Sequence, residues 1–312
     1  MDFRALGLGL TFAILWSSAF TSARIAVRDA PPFLILSFRF LIAGLLAIAI
    51  AWAIGQRAKL NRAQWISILL FGVLQNAIYL GMNFVAMQRV EAGLAAIIAS
   101  LLPISVGAAS WLLFREKLGR LGVAGLLAGL AGVLIIMTAR LQGGVDGLGV
   151  VLCLIGLAAL TGATLLMRAT NSTGNILMVV GLQMLAGSAI LFPLSLLFET
   201  WQVNFTLNLG LAFGYMILFP GLIATIIWFT LVNRIGATRA ATFHFLNPFL
   251  GVLIASLLLG ESVSLRDAIG VLIISAGILA VQISRRSARK KAGSDSTLGA
   301  NPSVVQDNRR QT

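Results

Sequence analysis

Ten apolar runs divide the first 284 residues of the chain, each close to the ~20 residues that an α-helix needs to cross a bilayer. They lie at about 5–26, 32–54, 65–87, 92–113, 119–139, 147–168, 175–198, 207–232, 237–259 and 266–284. The stretches between them are short and leave no room for a soluble catalytic or nucleotide-binding domain. Inside lipid, backbone polar groups must be satisfied within the protein, which a helix does by itself. The pattern therefore predicts an all-α membrane protein with ten transmembrane helices. The first run exceeds the ~7–15 apolar residues of a signal peptide and has a counterpart in the second half, so it is read as a span. Pro31 and Pro32 open the second helix, where a missing N–H costs least. Pro103, Pro193, Pro220 and Pro248 fall inside runs, where proline frees carbonyls and bends a helix. Pro103 and Pro248 are read as hinge or kink positions.

Polar side chains inside the runs are few, so their places are informative. In the third run Gln75, Asn76, Tyr79 and Asn83 recur at helical spacing and form one stripe on a regular α-helix. Such a stripe is either one wall of a polar cavity or interhelical glue at ~0.6 kcal/mol per contact. Four groups on one face exceed what packing needs, which favours the cavity. The ninth run carries His244 and Asn247 beside Pro248. His244 serves equally as a substrate or proton group and as a neutral histidine bonded to a backbone carbonyl. The first run has Trp16, Ser17, Ser18, Thr21 and Ser22, and its small hydroxyl residues also suit close helix packing. Trp16 and Trp228 are candidates for packing against a substrate side chain. Arg39 lies about 10 Å into the second run at ~1.5 Å per residue. It either snorkels to the headgroups or faces the cavity as an anion contact. The fifth run holds Gly125-x-x-x-Gly129, a spacing for close helix contact, most simply within one subunit.

A longer pattern links the two halves. Residues 89–136 return, shifted by 145, at 234–281. Arg89 falls on Arg234, Pro103 on Pro248, Glu116 on Glu261, Gly125 on Gly270 and Gly132 on Gly277. With five spans in each half, the second copy enters the membrane upside down. Inverted repeats of this kind place a substrate site between the halves of an alternating-access transporter. The chain is thus divided at 1–140 and 141–284, with a polar, basic and disordered cytoplasmic tail at 285–312.

Composition narrows the function. The chain is 59% hydrophobic and 11% charged, against about 25% charged in soluble domains. The net charge of +13 does not signal nucleic acid, because the basic residues sit between apolar runs and in the tail. With the N-terminus in the cytoplasm, seventeen Lys and Arg face that side and five the other, which places both termini inside. All ten acidic residues lie in loops, at helix ends or in the tail. Pumps carry protons on buried Asp, Glu or His, and only His244 is available for that here. No Gly-x-x-x-x-Gly-Lys-Ser/Thr loop is present, which argues against ATP hydrolysis. The lone Cys153 and the lone His244 build no metal site, and no catalytic residue set or cofactor is expected.

At this point the residues resemble a known family. Residues 92–103, Ala-Gly-Leu-Ala-Ala-Ile-Ile-Ala-Ser-Leu-Leu-Pro, are followed by Phe114-Arg115-Glu116-Lys117-Leu118. The second copy ends Leu257-Leu258-Leu259-Gly260-Glu261, and the first span opens Leu15-Trp16-Ser17-Ser18-Ala19-Phe20. These segments resemble the EamA-type transporters of the drug/metabolite transporter superfamily. Arg115 stands where glycine is usual. The resemblance implies two inverted five-helix repeats in a bacterial inner membrane and a central cavity lined by the first four helices of each half. It implies export or exchange of small metabolites, often amino acids, but does not name the substrate.

The leading reading is a secondary transporter, not an enzyme, that moves neutral or aromatic amino acids by export or facilitated diffusion. Its partners are a small-molecule substrate and the lipid bilayer, without nucleic acid, in a monomer or weak homodimer. Two alternatives stand beside it, a nucleotide-sugar or sugar-phosphate exchanger and a non-transporting membrane adaptor. The exchanger would want several basic cavity residues to hold phosphate.

Overall fold

Long stretches of Leu, Ile, Val and Ala with sparse polar interruptions close their own backbone bonds as helices, and the computed structural model is helical throughout the residues it describes. These are 3–57, 60–115, 119–142, 144–167, 175–235 and 241–298. Glu116, Lys59, Lys117, Arg168 and Arg239 lie outside them, as does the tail beyond 298.

Helices α1 (Phe3–Asp29) and α2 (Pro32–Ala53) open the chain. The third run begins as α3 (Arg62–Phe71), started by a capping box in which Asn61 and Gln64 bond each other's backbone amides at 2.9 Å. It then widens into a π-helical segment, Gly72–Leu80, and ends as α4 (Gly81–Ala86). The fourth run is α5 (Ala92–Ser100) and α6 (Leu102–Phe114), followed by α7 (Arg120–Gln142), α8 (Gly147–Met167) and α9 (Ile176–Phe198). The eighth run is α10 (Leu207–Met216), a second π segment, Ile217–Ile223, and α11 (Ala224–Ile235). A 3₁₀ segment, Ala241–Leu246, leads into α12 (Asn247–Leu259), and α13 (Leu265–Leu298) closes the described chain.

Seven helices are long and apolar enough to cross a membrane, and Arg120–Ile136 and Asn247–Leu259 are shorter apolar helices. The chain is therefore a multi-pass helical membrane protein. α13 joins the apolar residues 265–284 to the basic segment after them, so the helix continues through residues that composition assigns to a disordered tail. Arg, Lys, Ala and Ser extend a helix already started at low cost.

The backbone irregularities recur along the chain. The same 145 residues separate the π segments starting at Gly72 and Ile217, and the helix breaks at Leu101 and Leu246. They also separate the left-handed C-caps Arg115 (φ 51°) and Gly260 (φ 69°). Each break falls just before the proline of its run, because the ring of Pro103 or Pro248 cannot fit inside a continuous helix.

Two close helix pairs flank the rest, α2 along α9 and α7 along α13. A methyl group on Gly125 would lie 2.7 Å from the Gly277 carbonyl oxygen, and one on Gly277 would lie 2.7 Å from that of Gly125. Gly132 and Gly270 mirror this at 2.8 and 2.9 Å. As one helix of the pair rises the other descends, so they run antiparallel. Only glycine allows this approach. The glycine face of α7 is thus occupied inside the subunit. Between the pairs, α1 lies against α10, α11 and α12, and α8 lies against α4, α6 and the first π segment.

Contacts between helix ends tie the runs together. Glu199 accepts from the amides of Phe33 (2.7 Å) and Leu34 (2.9 Å) and from the Ser195 hydroxyl (2.7 Å). Glu261 accepts from the amides of Ala92 (2.7 Å) and Gly93 (2.8 Å). Pro31 and Glu91 precede α2 and α5 without capping them through a side chain, so these distant carboxylates complete the exposed first turns. Arg89 pairs with Asp146 at 2.8 Å, and Thr206 donates to Asp29 at 2.6 Å. All four contacts join ends that an alternating series of crossings puts at the same surface.

Candidate functional site

Helix α1 presents Phe12, Trp16 and Ser17 along successive turns toward α11 and α12. Across from them stand Trp228 of α11, His244 of the 3₁₀ segment and Asn247 at the start of α12. The Phe12 ring lies 4.8 Å from Trp228 and 5.7 Å from Trp16. His244 is ringed by three aromatics, at 5.3 Å from Phe12, 5.2 Å from Trp228 and 6.2 Å from Trp16. All three meet it edge-to-face. The break before Pro248 positions this group, since it turns His244 and Asn247 toward each other at 2.9 Å through Nδ1 and the amide nitrogen. Among the described residues His244 is thus bonded to a side chain.

Two polar atoms on this side are buried without partners, Asn247 Oδ1 and Thr21 Oγ1. Ser17 Oγ points at the Asn247 carbonyl at a long 3.5 Å. At the next residue the Ser18 and Tyr215 hydroxyls share a hydrogen bond of 2.6 Å, with Tyr215 stacked on Phe219 at 4.8 Å. The arrangement offers a cluster of tilted and edge-on aromatic rings with a few polar atoms beside it, the composition of a small-molecule site.

The third-run stripe is placed elsewhere. Asn76 donates to the Gln183 carbonyl of α9 at 2.8 Å, and Asn83 donates to the Tyr79 carbonyl at 2.9 Å. Tyr79 and Asn83 pack where α8 carries Gly156, and both are buried; Gln75 is half-buried. Among the described residues no hydrogen bond or ring contact links this stripe to Trp228, His244 or Asn247. A uniform 3.6-residue period puts all four side chains on one face; in the structure three of them lie in or beside a π segment, whose turn is wider. Arg39 is buried, not lying out among headgroups; its Nε has no partner, and its Cζ sits 5.4 Å from the centre of the Phe40 ring.

Phe12 and Tyr215 join the site unannounced by the sequence reading. Phe12 is one of eighteen phenylalanines and carries no signal. Tyr215 is one of two tyrosines, inside an apolar run and near Pro220, and that was a usable signal. Among the described residues, no group of three His, Cys, Asp or Glu can hold a metal.

This combination of membrane-length helices, broken or widened at matched places, is that of a polytopic membrane protein. The chain belongs to the EamA-like transporter family, whose model matches residues 3–138 and again 147–283. It is similar to the uncharacterized transporter YvbV of Bacillus subtilis, 26% identical over 94% of both chains. It is also similar to the uncharacterized inner membrane transporter YedA of Escherichia coli, 30% identical over 86% of this chain and 88% of that one. A solved crystal structure that is 24% identical covers 92% of this chain and 99% of its own, with a TM-score of 0.67, and shares the fold.

Proposed function

We propose that the protein is a secondary transporter that moves neutral or aromatic amino acids across a bacterial inner membrane by alternating access. The cluster of Phe12, Trp16, Trp228, His244 and Asn247 carries this reading, because it joins flat apolar rings to a buried, unpartnered carbonyl oxygen. Aromatic or apolar side chains fit the rings, and a hydrogen-bond donor of the substrate meets the amide oxygen. The two halves act as inverted repeats with both termini in the cytoplasm. The recurrence of π segments, breaks and caps supports this, as do the reciprocal glycine contacts of the antiparallel α7 and α13. Rocking of one half on the other then uses the breaks before Pro103 and Pro248 as hinges.

Movement follows the substrate's own gradient, as export or facilitated diffusion. No described carboxylate lies in the middle of a span, and His244 is the one titratable ring in the cluster. Counterflow of labelled phenylalanine and leucine in proteoliposomes, with and without an imposed pH gradient, tests the proposal. Counterflow without a pH gradient and without ATP is the expected result. Absence of amino-acid counterflow, or uptake driven by pH that survives His244→Ala, overturns it.

A further inference from the structure

Two charged side chains are buried among the described residues, Asp267 and Arg39. They differ in their surroundings. Asp267 accepts from the amide and the hydroxyl of Ser264, both at 2.9 Å. Arg39 takes part in no hydrogen bond or ion pair among the described residues, and its Nε is sealed from any solvent. Its side chain is 6% exposed, within a helix that is otherwise apolar apart from Ser37.

The acids that could neutralise Arg39 are engaged elsewhere. Glu199 and Glu261 cap α2 and α5, Asp29 accepts from Thr206, and Asp146 holds Arg89. The Phe40 ring face beside the guanidinium gives a partial attraction only. A buried guanidinium with no counter-charge lowers stability, and an apolar side chain of similar volume would serve the fold at least as well. Charges kept at such cost inside membrane proteins mark substrate or ion pathways.

We propose that Arg39 holds the carboxylate of the transported molecule. The proposal rests on the transporter reading and names the end of the substrate that this side of the protein takes. One guanidinium balances one negative charge. A phosphate dianion would leave an excess charge in a site of low dielectric, so a carboxylate is the fitting oxyanion. The planar fork of arginine suits both carboxylate oxygens at once, which lysine cannot reproduce.

The test measures thermal shifts of the purified full-length protein in detergent with four probes: L-phenylalanine, L-phenylalaninol, 3-phenylpropionate and phenyl phosphate. Wild-type protein is expected to respond to the two carboxylates at concentrations at least tenfold below those needed for phenylalaninol. Arg39→Lys and Arg39→Met lose that preference. Without ligand, Arg39→Met melts at the wild-type temperature or above it, whereas a purely structural arginine would lower it. An unchanged carboxylate preference in Arg39→Met, or a melting point several degrees lower, overturns the proposal. So does a wild type that responds to phenyl phosphate alone or to none of the four probes. If amino-acid counterflow persists while phenylalaninol binds as well as phenylalanine, this inference falls and the transporter reading stands. If Arg39-dependent binding persists without counterflow, the transporter reading falls and the carboxylate anchor stands.

Discussion

Helix α1 meets α10–α12 with polar atoms to spare, whereas α8 meets the third and fourth runs with its polar atoms bonded. The two contacts occupy corresponding places in the two halves of the chain. Around α1, Asn247 Oδ1 and Thr21 Oγ1 are buried without partners beside four rings. Around α8, Thr161 bonds both the Leu157 carbonyl (2.7 Å) and Ser105 (3.0 Å), Thr164 bonds the Leu160 carbonyl, and Asn83 bonds the Tyr79 carbonyl. Where 145 residues relate the halves, His244 faces Ala99 and Asn247 faces Leu102. Satisfied groups add stability between helices, and unsatisfied ones wait for a ligand. Matched scaffolding thus carries unmatched chemistry, and the hydrogen-bond inventory separates the two roles better than polarity alone.

Replacement on the α1 side should have the largest effect. Trp228→Ala or Asn247→Ala is expected to lower counterflow at least tenfold while the melting temperature and the gel-filtration profile stay near wild type. Wild-type transport in both variants would erase the contrast between the two sides. The next effect is on stability. Glu261→Ala removes a carboxylate from two amides and is expected to cost about 1.5–3 kcal/mol, with Glu261→Gln costing less; thermal melts in detergent measure both. On the α8 side, Thr161→Val should cost about 0.6 kcal/mol and leave counterflow within twofold. A larger loss of transport there would make the bonded side part of the site.

Arg115→Gly sharpens the comparison between the two C-caps. Arg115 holds a left-handed conformation that glycine adopts freely, as Gly260 does at the matching place. Relief of that strain, less the extra chain entropy of glycine, is expected to raise stability by about 0.5 kcal/mol, read from the same melts. The smallest effect concerns pH. The Arg89 guanidinium and the amides of Gly149 and Leu148 hold the Asp146 carboxyl below its ordinary 3.8. A lowered value stabilises the folded state above the ordinary aspartate range, and that contribution fades as pH falls through the folded value. Arg89→Ala should therefore lower stability slightly at neutral pH, leave it unchanged at pH below the folded value, and so flatten the acid limb of the melting curve.

The fold was largely legible in the sequence. Apolar length located the helices, and Pro103 and Pro248 located the breaks. Trp16, Ser17, Trp228, His244 and Asn247 were named from type and position, and the structure gathers them. The π segments were not legible, because they depend on tertiary packing and leave no mark on apolar periodicity. Gln75, Asn76, Tyr79 and Asn83 fall on one wall by α-helical spacing; in the structure Asn76 meets α9, and Tyr79 and Asn83 lie beside α8. The capping partners of Glu199 and Glu261 were equally hidden, since their amides lie far away in the chain.

That distance has a consequence for synthesis. Phe33 waits for Glu199, 166 positions later, and Gly93 waits for Glu261, 168 positions later. A ribosome that has delivered only the first five runs has delivered α2 and α5 with uncapped first turns. Water or headgroups must serve those amides until the later runs arrive. Completion of the early helices is therefore coupled to insertion of the late ones, and a chain cut after residue 140 has its spans but lacks two of the acceptors that finish them.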